Sequence, residues 1–177
     1  MGDEDDDLRD DPIGSSPGRI QRPMKTSSPS DSTSIEMSAI SSQGGVSLRL
    51  PDSWVQIGAG EHLGAFLAPE EVRDAAGFTP NVVINDAAGH VTLADWWQSL
   101  SEVGDLALLM EAAASDEAAS AVFAHVISGV SVTGCVRLQH LPGRTVFVTV
   151  QFASAASDRW LGLAAEICGS LEVEGLA

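Results

Sequence analysis

The sequence predicts an α+β protein: a three-layer α/β/α sandwich around a mainly antiparallel sheet of about six strands, with two main helices. Three observations lead there. Short apolar segments alternate with period two before residue 90. A dense β-branched block from Ala121 to Ser154 divides into three strand segments, the last two joined by a Pro-Gly turn. Two amphipathic stripes, one following Thr92 and one following Ser157, supply the helices to cover a sheet whose strands are apolar on both faces.

The chain has 177 residues, room for one ordinary domain, and 44% of them are hydrophobic. Residues 1–44 differ in kind from the rest of the chain. An acidic block from Asp3 to Asp11 leads into SSPGRIQRPMKTSSPSDSTS, which has almost nothing to bury. That composition predicts a disordered acidic, Ser/Pro-rich tail, with Ser28-Pro29 suited to phosphorylation or docking. Residues 45–177 then form the single folded domain.

VSLRL sets Val46, Leu48 and Leu50 against Ser47 and Arg49, a half-buried strand. Pro51-Asp52-Ser53 bends the chain before Trp54, Val55 and Ile57. HLGAFLAPE gives a second short strand, EEVRDAAGF a loop or helical turn, and FTPNVVIND a third strand with Val82, Val83 and Ile84 buried on both faces. Thr92 is an N-cap with Asp95 three residues on, a capping-box variant. Leu93, Trp96, Trp97, Leu100 and Val103 make its stripe, which Gly104-Asp105 ends. LALLMEAAAS fits either a helical continuation or a strand, and its Ala, Leu and Met content tilts the reading to helix. AVFAHVISG, VSVTGCVRLQH and RTVFVTVQFAS are strands. In the last, Val146, Val148, Val150 and Phe152 face one way, and Thr145, Phe147, Thr149 and Gln151 the other. SDRWLGLAAEICGSL closes the domain with Trp160, Leu163, Ala164, Ile167 and Leu171 on one stripe.

This order resembles the PsbP-like fold shared with Ran-binding Mog-type proteins and with the actinobacterial LpqN/LpqT lipoprotein family. The residues that carry the resemblance are VSLRLPDSW, the F-x-PNVVI segment at Phe78 to Ile84, the helix start from Thr92 to Trp97, and the paired strands before a terminal amphipathic helix. It spans residues 46–173 and implies a non-enzymatic protein-binding or accessory module. LpqN-type proteins carry a signal sequence and a lipidated cysteine, whereas MGDEDDDLRDD has neither a basic nor an apolar leader region. A cytoplasmic, non-lipidated relative is therefore expected. Lys25 is the only lysine, and this preference for Arg suits a GC-rich genome.

The formal charge is −16, from 25 acidic and 9 basic residues. Such a field repels nucleic-acid phosphates and anionic head groups, so the favoured partner is a protein with a basic surface, without nucleic acid and without membrane insertion. The four histidines, His62, His90, His125 and His140, show neither HxxxH nor HExxH spacing, and no zinc or other metal ligation follows from them. Gly58-Ala59-Gly60 lacks the lysine of a phosphate loop. Glu70, Glu71, Asp74 and Asp86 lack the spacing of a calcium loop. No cofactor is implied.

The candidate binding residues are Trp97, Trp96, Asp86 and His90. Adjacent tryptophans diverge by about 100° on a helix, so one ring can stand at an edge and anchor a partner. Asp86 and His90 bracket the loop after the third strand, where a site could form. Two alternatives remain. One is a small apolar-ligand carrier with its pocket between the sheet and the Thr92 helix; the other is an enzyme pairing Cys135 with His125 or His140 across a hairpin.

Overall fold

The computed structural model describes residues 35–42, 44–58, 60–73, 77–101 and 106–174. The acidic block, Ser28-Pro29 and everything else before Ile35 lie outside the described residues, as do Ala59, Asp74, Val103, Gly104 and Asp105.

Strand structure begins inside the stretch assigned to the tail. Met37–Ser42 is β1, and it pairs antiparallel with β2, Val46–Pro51, from Met37↔Pro51 to Ser42↔Val46. MSAISS carries too little apolar surface to order itself, but β2 offers it a complete ladder. The chain reverses through Gly44 and Gly45 at φ of 79° and 70°, a backbone region that side chains with a Cβ rarely enter. In β2 the period-two pattern holds, with Val46, Leu48 and Leu50 all buried.

After the bend at Asp52 and Ser53, β3 is Val55–Ile57, β4 Gly64–Leu67 and β5 Asn81–Ala88. A 3-10 turn at Glu70–Val72 stands where a loop or helical turn was expected. In β5, Val82 and Ile84 are fully buried but Val83 is half-buried, so this strand alternates instead of hiding both faces. Helix α1, Leu93–Ser101, starts at the expected cap: Thr92 Oγ1 accepts from the Asp95 N–H (3.1 Å), while the Thr92 N–H donates to Asp95 Oδ2 (2.9 Å).

Leu106–Ala114 is a strand, β6, and not a helical continuation. It pairs with β7, Ala118–Ile127, from Leu106↔His125 to Ala114↔Ala119. The open edge of β7 outweighs the helix preference of Ala, Leu and Met, which is only tenths of a kcal/mol per residue, roughly. β8 (Val130–Leu141) and β9 (Arg144–Ala153) come next, then α2 (Ser157–Gly169) and β10 (Glu172–Val173).

The main sheet is antiparallel with seven strands in the order β3-β4-β5-β9-β8-β7-β6, and a second sheet has the order β1-β2-β10. The main sheet thus has one strand more than expected, and the small sheet adds a cover the sequence pattern did not suggest. Alternation along β8 and β9 separates two cores. On one face Cys135, Val146, Val148, Val150 and Phe152 pack against α2 and β2. On the other, Ala121, Phe123, Val136 and Leu138 pack against Trp96 of α1. These are the three layers the alternating pattern predicts.

Phe123 fixes the α1-side core. It is fully buried, its ring lies over Gly134, and a Cβ added at 134 would stand 2.3 Å from its Cζ. Gly134→Ala is expected to cost about 1–3 kcal/mol by overpacking. Urea unfolding measures it, and the same substitution in a Phe123→Leu background should cost clearly less. Equal costs in the two backgrounds would show that the ring is not what excludes a side chain there.

Candidate functional site

The connection from β5 into α1 is clamped by one hydroxyl. Thr145 of β9 is fully buried; its Oγ1 donates to the Gly89 carbonyl and accepts from the Val91 N–H, both at 2.9 Å. Gly89, at φ 81°, also donates to the Gly143 carbonyl at 2.8 Å. His90 is thereby held against His140 of β8, ring centroids 4.0 Å apart. His140 Nδ1 reaches the same Thr145 hydroxyl at 3.3 Å. That hydroxyl's single proton serves Gly89, so Nδ1 is the donor. A recess of about 300 Å³ opens beside the pair, bounded by Thr92, Leu93, Ala94 and Ser115.

Asp86 and His90 do not converge. Asp86 pairs with Arg144 Nη1 at 3.7 Å, and Arg144 Nη2 donates to the Gly44 carbonyl, which ties β9 to the β1–β2 turn. Of the tryptophans, Trp96 is only 5% exposed and meets Phe123 edge-on at 5.1 Å. Its ring belongs to the core and cannot anchor a partner. Trp97 is half-buried, 6.2 Å from Trp96, and rests on the same cluster. His62 hydrogen-bonds Asn85. Among the described residues no three His, Cys, Asp or Glu side chains gather as metal ligands, and no helix is long and apolar enough to cross a membrane.

The cysteine arrangement does not assemble. Cys135 points to the α2 face, whereas His125 and His140 share the parity of Phe123 and Val136 on the α1 face. Burial pushes the Cys135 thiol up to about 11, and burial followed by the neighbouring Cys135 pushes Cys168 higher still. Neither thiol supplies a thiolate nucleophile near neutral pH.

The apolar cavity is likewise on the other side from where it was expected. It lies between α2 and the β6–β8 part of the sheet, holds about 260 Å³, and is lined by Met110, Val122, Cys135, Arg137, Leu161 and Cys168 among others. Arg137 is half-buried. Its Nε is buried without a hydrogen-bond partner, and Nη2 reaches Gln139 Oε1 only at 3.5 Å. Motif spacing does not reveal Arg137 as a site residue. The signal present in the sequence is a lone arginine inside the apolar run GCVRL.

Two solved structures share this architecture. Cyanobacterial PsbP (CyanoP) from Synechocystis sp. PCC 6803 matches with a TM-score of 0.58 at 12% identity, covering 78% of this chain and 93% of that one. LpqN of Mycobacterium tuberculosis, involved in cell envelope biogenesis, matches with a TM-score of 0.52 at 12% identity, covering 78% and 90%. The fold is PsbP-like and related to that of LpqN, as the strand and helix order suggested. Neither a family model nor a curated protein sequence matches the chain.

The histidines give the fold a pH dependence. Burial lowers the pKa of His125, and burial together with His90 lowers that of His140, against an opposing pull from Asp116. The folded state therefore binds fewer protons than the unfolded state just below the ordinary histidine value. Their contribution is full above that value and declines as pH falls through it. The urea midpoint should drop between about pH 7 and about pH 5.5, and drop less in a His125→Gln/His140→Gln variant. An identical slope in the variant would remove the histidines as its cause.

Proposed function

We propose that this chain is a non-catalytic accessory module that binds a protein with a basic surface. An adaptor or chaperone for an exported or secretion-system protein, acting in the cytoplasm, is one concrete form. The observation that carries the reading is the apolar surface left exposed along β6 and at the end of β7, at one edge of the main sheet. Helix α2 packs over β8 and β9. Beyond it, Leu109 is 57% exposed, Met110 55% and Val126 51%.

The pairing of β6 with β7 shifts register between Leu108 and Met110 and again between Glu111 and Ala113. Bulges of this kind spoil an edge as a template for strand addition, so the surface offers side chains instead of a backbone ladder. Exposed aliphatic and thioether groups supply buried area on docking, and the net charge of −16 steers a cationic partner and slows the approach of anionic macromolecules. Trp97, at the edge of α1, can add to a contact on the opposite face.

Affinity purification of the full chain, with and without Leu109→Asp, tests this. The expected result is a stoichiometric basic protein that associates more slowly at raised ionic strength, with binding reduced about tenfold or more in the variant at unchanged melting temperature. A chain that purifies alone, or a partner retained equally by Leu109→Asp, refutes the reading.

A further inference from the structure

Arg137 is out of keeping with every other described arginine. Arg144 has Asp86 and the Gly44 carbonyl, Arg73 has Glu70 and Thr79, and Arg159 lies 4.9 Å over the Trp160 ring. The Arg49 side chain projects from the exposed side of β2. Arg137 alone combines partial burial with a guanidinium N–H that has no acceptor. Among the carboxylates whose side chains are described, none forms an ion pair with it. A buried donor on a permanent cation is costly to leave unmatched, and a guanidinium fork matches a carboxylate in two parallel hydrogen bonds.

The surroundings of Arg137 are those of an alkyl chain. Val122, Leu161 and Ala165 line the same cleft, and Cys135 and Cys168, both protonated, act there as small apolar groups. At about 260 Å³ the cleft lies below the span of roughly 300–1,000 Å³ usual for drug-sized ligands, and Met110 and Leu161 at its mouth are 55% and 39% exposed. A slender molecule that continues past the mouth fits this shape; a bulky ring system does not.

We infer that the cleft between α2 and β6–β8 binds a single-chain anionic amphiphile of the fatty-acid class, its carboxylate on Arg137 and its alkyl chain against Val122, Leu161 and Ala165. The cleft shares Met110 with the partner-docking edge, but its ligand chemistry is argued from Arg137 and does not depend on that reading. Because the protein as a whole is acidic, the chain contacts carry the affinity and Arg137 selects the head group. Added salt screens the long-range repulsion, so binding should hold or strengthen with ionic strength, the reverse of the behaviour of a basic partner.

Calorimetric titration of the full chain with dodecanoate and with dodecyltrimethylammonium, each below its micellar concentration, tests the inference. Dodecanoate should bind one-to-one and more tightly than the cationic chain. Arg137→Gln should weaken dodecanoate by about tenfold or more while leaving the cationic chain unaffected or improved. Ala165→Phe, at an exposed helix position, should fill the cleft and abolish binding without lowering the melting temperature. Absence of dodecanoate binding, equal affinity for the two chains, or unchanged binding in Arg137→Gln overturns it. So does selective binding of a peptide's free C-terminus with dodecanoate excluded.

Discussion

β8 and β9 are apolar on both faces, and strands of that kind have to be covered twice. Cys135 and Val148 point to one layer while Val136, Leu138 and Phe147 point to the other. Much of the remaining structure answers that requirement. Helix α2 and the small sheet cover one side; α1, only Leu93–Ser101 long, covers the other with Trp96 seated on Phe123. So short a helix is marginal in water by itself. It is held by its capping box and by the buried Thr145 hydroxyl, which places the turn before it.

The same requirement explains what could be read from the sequence. Strong local signals were legible: the alternation in Val46–Leu50, the Thr92/Asp95 cap, the β-branched crowding of β8 and β9, and the final helix stripe. Elements whose order comes from a distant partner were not. LALLMEAAA prefers a helix locally and becomes a strand because β7 presents an edge to it. MSAISS looks like tail and becomes β1 because β2 pairs with it. The site was less legible for a related reason. Asp86, His90, Trp96 and Trp97 stand out by residue type, yet packing turns Trp96 inward and engages Asp86 with Arg144. Arg137 looks ordinary until both faces of its strand are assigned.

Charge and shape divide the tasks on the surface. The acidic excess acts over a distance set by screening, about 8–10 Å at moderate salt, and so decides which bodies approach. Contacts of a few ångströms decide what remains bound. A cation inside an apolar cleft, and aliphatic side chains on a bulged edge, are two short-range features within one repulsive envelope. Each can discriminate among molecules the long-range field alone would treat alike.

The small sheet has a kinetic consequence. β2 stands between β1, its neighbour in sequence, and β10, whose residues Glu172 and Val173 pair with Ser47 and Val46. The Arg49 N–H likewise waits for the Ser170 hydroxyl, 121 positions away. A strand whose second partner is so remote cannot be completed while the intervening sheet is still being made. On the ribosome, β2 must remain half-paired through most of translation, with Val46, Leu48 and Leu50 lacking their final cover. Pairings of this separation form late, because the loop-closure entropy is met before the contact repays it. That interval, more than the finished surface, is when this protein is most open to aggregation and most in need of a holding chaperone.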